Sequence, residues 1–154
     1  MGKLTEALYI DHRSIAVGLF NETWDLMEKK NRTIDEDSQM LEKAYASLYH
    51  WRQIGTKLNL ARGYWQVSRV HAILGHGETA YFYGIFSVEL CEAEGFGDFD
   101  LAFAYESVAR AEKCRGNENS MKLWIGRGQA AADNIVKPED KKYFMSELSS
   151  IYEG

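Results

Sequence analysis

The chain has 154 residues, 45% of them hydrophobic and 27% charged, with a formal charge of −5 and a pI near 5.4. This length suits one domain with a sizeable core, and this composition excludes a disordered chain. The acidic balance argues against wholesale binding to nucleic acid or to an anionic membrane surface, and no 18-residue apolar run is present to span a bilayer.

From the N-terminus, only Ala7 to Ile10 separate Met1 to Glu6 from Asp11, His12 and Arg13, which leaves no uninterrupted apolar run long enough for a signal peptide. Cys91 and Cys114 each fall in a predicted helix without CxxC spacing and read as small buried residues of a reducing compartment. A cytoplasmic protein is expected.

Turn residues punctuate the chain at Asn31 to Asp35, Gly55 to Asn59, Gly75 to Gly77, Gly95 to Asp98, Gly116 to Asn117 and Val136 to Pro138. Seven helix-length segments lie between them, and none alternates as a half-buried strand would. The first, about residues 4–30, aligns Leu8, Ile15, Leu19, Leu26 and Met27, with Phe20 and Trp24 widening the stripe. Thr33 to Asp37 caps a second helix over about 36–54. Helices over about 58–74, 78–94, 99–115 and 118–135 follow, and Pro138 opens a seventh to about 152. Short connections make neighbours antiparallel. The expectation is one all-α domain of hairpins over about 4–54, 58–94 and 99–135, closed by a capping helix.

The hairpins from Leu60 and from Leu101 superpose when Gly75 is placed on Gly116, a step of 41 residues from position 75 to position 116. Leu60 then matches Leu101, Ala61 matches Ala102, Tyr64 matches Tyr105, Val67 matches Val108, Ser68 matches Ala109 and Arg69 matches Arg110. With bulky residues early, a small residue one turn on, glycine at the turn and a small residue at the crossing, this resembles the tetratricopeptide repeat family. Tyr64, Ser68, Gly75 and Ala80 fit the pattern, as do Tyr105, Ala109 and Gly116, with Met121 where alanine is usual. The likeness covers about half the chain, and the period exceeds the family's 34, which implies longer helices. It implies a short right-handed solenoid whose concave surface is lined by the first helix of each hairpin. The stretch from His50 through Asn59, Arg62 and Trp65 is also similar to a group of small bacterial helical proteins, a likeness that supplies no function.

On that surface Arg62, Trp65 and Arg69 share a face of the third helix at i, i+3 and i+7, and the fifth helix offers Phe103, Glu106, Arg110 and Lys113. Guanidinium groups around an aromatic platform suit a peptide or a small anionic ligand, so a non-enzymatic interaction module is the leading expectation. The bland alternative is that Arg69 and Arg110 pair with Glu106 or another acid between hairpins and that Trp65 is core.

A small helical enzyme is the competing class, with a site around His12, His50, Asn59 and Arg62. The four histidines contain no H-E-x-x-H pair and no i, i+4 pair, and Ser68 near His71 lacks a nucleophile elbow. Gly95-Phe96-Gly97 is a turn without a phosphate-loop lysine, and Glu92/Glu94 and Asp98/Asp100 are acids of a loop and a helix start. No metal, cofactor or catalytic residue is expected. A third expectation is a two-fold homodimer, because Tyr81, Phe82, Tyr83 and Phe86 circle the fourth helix and Tyr143, Phe144 and Met145 add aromatic and apolar surface on the last.

Overall fold

The computed structural model describes residues 9–153, and among them every regular element is a helix. These are α1 (His12–Glu28), α2 (Ile34–Ile54), α3 (Lys57–Ile73), α4 (Gly77–Glu94), α5 (Asp98–Cys114), α6 (Glu118–Ala132) and α7 (Pro138–Ser150). Their ends are set locally. Thr33 and Glu36 form a capping box on α2, Thr56 and Asn59 form one on α3, and Pro138 occupies the start of α7, where a missing N–H costs nothing.

The first described helix starts later than the apolar stripe suggests. Residues 9–11 are not helical, and the Asp11 carboxylate accepts the Ser14 N–H at 3.1 Å, a cap that opens α1 at His12. Leu8, placed on the stripe, lies outside the described residues, as does the rest of that segment's expected beginning. Ile15 is exposed, whereas Ala16 and Thr23 are buried, because α1 crosses α2 closely enough for the Ser47 hydroxyl to donate to the Ala16 carbonyl at 2.8 Å.

The 41-residue step reappears as geometry. Gly75 and Gly116 take φ of +82° and +80°, a left-handed conformation that favours glycine. At both, the next amide closes back on the helix, His76 N–H to the His71 carbonyl at 2.8 Å and Asn117 N–H to the Glu112 carbonyl at 2.9 Å. Val67 and Val108 are fully buried, as are Ala61 and Ala102. Leu60/Leu101 and Tyr64/Tyr105 hold equivalent places too, but only half buried. The tyrosines stay at the edge because their hydroxyls meet polar groups of the preceding hairpin, Arg52 for Tyr64 and Glu92 for Tyr105.

Adjacent helices pack as hairpins, α1 with α2, α3 with α4 and α5 with α6, while α7 closes on α5 and α6. The hairpins stack through α2 on α3 and α4 on α5, and α3 also meets α1 and α5, so the odd-numbered helices lie side by side. Close approach is built from small residues: Ser68 donates to the Ala80 carbonyl, Ser87 to the Ala61 carbonyl, and a Cβ on Gly84 would stand 3.1–3.2 Å from Ser107, Ser68 and Val108. The result is an all-α stack of antiparallel hairpins with a capping helix. No described helix is long and apolar enough to cross a membrane.

Candidate functional site

The side-by-side odd helices leave a cleft of about 630 Å³ between α1, α3, α5 and α7, floored in part by Ser87 and Cys91 of α4. Each odd helix places one ring in a continuous row, Trp24, Trp65, Phe103 and Tyr143. Trp24 stacks on Trp65 with centroids 5.8 Å apart, Phe103 meets Trp65 edge-on at 5.7 Å, and Tyr143 lies 5.9 Å beyond Phe103. Phe20 and Phe99 widen this surface. The wall carries Arg62, Asp100 and Asp140; Arg62 grips both carboxylate oxygens of Asp100 at 2.8 and 3.1 Å. Trp65 Nε1 is buried without a hydrogen-bond partner among the described residues.

Of the six residues expected to bind a guest, Arg62, Trp65 and Phe103 line the cleft. Arg69, Glu106 and Arg110 are brought together elsewhere. Glu106 has no exposure, and its Oε1 accepts from Arg69 Nη1 at 2.9 Å and Arg110 Nε at 3.1 Å. Arg69 also approaches Glu147, and Arg110 donates to the Glu147 carbonyl and the Ser150 hydroxyl. This is the interhelical pairing held open as the bland alternative: the network ties α3, α5 and α7 together behind the cleft.

Sequence reasoning missed Phe20, Trp24, Phe99, Asp100, Asp140 and Tyr143. A signal existed for Trp24, because the same 41-residue step carries Trp24 onto Trp65 and Leu19 onto Leu60. The step thus reaches α1 at these two positions. Nothing in spacing alone brings Tyr143 of the capping helix to the row.

The residues of the competing enzyme site are engaged separately. His12 and His50 do meet, Nδ1 to Nδ1 at 2.8 Å, but Asn59 closes the cap of α3 and Arg62 holds Asp100. His71 accepts or donates at 2.7 Å to the Tyr45 hydroxyl through Nε2 and at 3.0 Å to His76 through Nδ1. Among the described residues no three His, Cys, Asp or Glu side chains are grouped to hold a metal ion. Ser68 is fully buried with its hydroxyl on a carbonyl, and burial, followed by the Asp100 carboxylate, pushes the Cys91 thiol up to about 11. A thiol so raised stays protonated and weakly nucleophilic near neutrality. Of the aromatic surplus expected on the last helix, Phe144 is taken into the core while Tyr143 lines the cleft and stays exposed, and on α4 Phe82 and Phe86 form an exposed pair.

Comparison with known protein families, curated proteins and solved structures finds no match to this chain.

Proposed function

We propose that the protein is a non-enzymatic interaction module of tetratricopeptide-like design, with the cleft between its odd helices as the seat of a peptide side chain or a small ligand. The row of four rings, one from each odd helix, carries this reading. A concave, largely aromatic cleft of about 630 Å³ with a few polar groups is the usual form of a ligand site. The Arg62–Asp100 pair on its wall supplies a polar edge that can orient a guest, and the buried Trp65 N–H is a donor without a partner among the described residues.

The anionic guest expected from Arg69 and Arg110 has less behind it, since both guanidinium groups face Glu106. The protonated Cys91 and the carbonyl-bound Ser68 favour binding over nucleophilic chemistry. The free thiols of Cys91 and Cys114 support a reducing, cytoplasmic setting.

The test is retention of a mixed library of short peptides on immobilised parent protein and on Trp24→Ala, with thermal unfolding of both as control. Retention by the parent that the folded variant loses is the expected result. A parent that retains nothing, or a variant that retains the same peptides equally, would overturn the reading.

A further inference from the structure

We infer that the guest of the cleft is an organic cation of the quaternary or methylated ammonium class, an inference that rests on the cleft being a binding site. The charges on its wall come first. Arg62 and Asp100 close on each other with two hydrogen bonds and cancel, whereas Asp140 makes no ion pair among the described residues. The lining therefore holds one carboxylate without a side-chain counterion, in the first turn of α7. The arginines nearest to supplying a positive field, Arg69 and Arg110, sit on the buried Glu106.

The ring faces point the same way. An aromatic face is the negative end of a quadrupole and attracts a cation within about 6 Å. Elsewhere this protein covers such faces with its own arginines: Arg13 on Trp51, Arg52 on Tyr64, Arg115 on Tyr81 and Arg127 on Trp124, at 4.4–5.9 Å. Among the described residues, no guanidinium or ammonium lies over the rings of the cleft. Four helices thus bring aromatic rings, and one carboxylate without an ion pair, to the lining of a space without a cation of its own.

Desolvation selects among cations. A primary ammonium is strongly hydrated and loses much on entering an aromatic space, while a methylated ammonium spreads its charge over C–H groups and packs against rings as an apolar body does. The cleft supplies a single free carboxylate and few acceptors, which suits the weakly hydrated kind.

Three probes of one shape test this: choline, its neutral carbon isostere 3,3-dimethylbutanol, and the anion 3,3-dimethylbutanoate. Each is titrated into the parent at low salt while the indole N–H signals of Trp24 and Trp65 are followed, with Trp51 and Trp124 as reference signals outside the cleft. Choline is expected to bind about tenfold more tightly than the alcohol, within the range of desolvated cation–aromatic contacts. In Asp140→Asn, choline should weaken about two- to fivefold and the alcohol should not change. If the alcohol or the butanoate binds as tightly as choline, the cation inference falls while the cleft reading stands. If none of the three moves the Trp24 and Trp65 signals, the cation inference falls, and the cleft reading is decided by the peptide retention experiment. The comparison of probes on the parent decides the matter even where Asp140→Asn fails to fold.

Discussion

Replacing Arg69 and Arg110 together by Gln separates an architectural role from a ligand-binding one. In the parent, Glu106 Oε1 accepts from Arg69 Nη1 at 2.9 Å and from Arg110 Nε at 3.1 Å; the carboxylate has no exposure, and the two arginine side chains are 12% and 16% exposed. Removing the partner of a buried charge typically costs about 3–5 kcal/mol, because the charge left behind has neither water nor a counterion. Arg69→Gln alone leaves Arg110 on Glu106, so a smaller loss, about 2 kcal/mol and below that range, is expected. The double replacement strands the carboxylate and should cost about 4 kcal/mol. For a domain of this size that corresponds to a fall in Tm of roughly 8–16 °C. Adding Glu106→Gln to the double variant should recover part of the loss, since the stranded charge is then gone. Urea unfolding followed by circular dichroism, for parent, single, double and triple variants in one buffer, measures all of this. A double variant within about 1 kcal/mol of the parent would refute the argument and return the two arginines to the surface role expected from their spacing.

Four further outcomes can be measured. Gly75→Ala and Gly116→Ala should each destabilise by about 1 kcal/mol and by similar amounts, because both glycines are left-handed and a Cβ meets nothing within 4 Å at either. Gly84→Ala should cost about 1–3 kcal/mol through the Ser68, Ser107 and Val108 contacts, and a neutral result in chemical denaturation at any of the three would contradict the crossing or the turn. His71 is held down to about 4 by burial and then by His76, so between about pH 6.5 and 4 the unfolded chain takes up a proton that the folded chain refuses. Stability from His71 is therefore full above pH 6.5 and falls with acid; the margin of the parent over His71→Gln should narrow from pH 7 to pH 4, and a constant margin would exclude the depressed pKa. Self-association through the exposed Phe82 and Phe86, whose rings lie 4.5 Å apart, is tested by sedimentation: a dimer that Phe86→Ser dissolves is expected, and a monomeric parent at high micromolar concentration refutes it.

The helices and their turns were legible because their causes are local. Thr33 with Glu36, Thr56 with Asn59, the glycines at 75 and 116 and Pro138 act within a few residues of where they stand, and the apolar period marks the inward side. The 41-residue step was equally legible, since stacked hairpins repeat the same contacts. The start of α1 was misplaced because the stripe continues past a cap that Asp11 and Ser14 define. The site was legible only by halves. Spacing put Arg62, Trp65 and Arg69 on one face of α3, and it could not say that the neighbouring helix sets Asp100 against the first, Phe103 against the second and Glu106 against the third. Position along a helix decides which side chains share a face. The relative height of two packed helices decides which of those side chains are neutralised by a neighbour and which stay open to a guest, and that height comes from the packing of small residues such as Ser68, Gly84 and Ser107, two of which adjoin Arg69 and Glu106 in the chain.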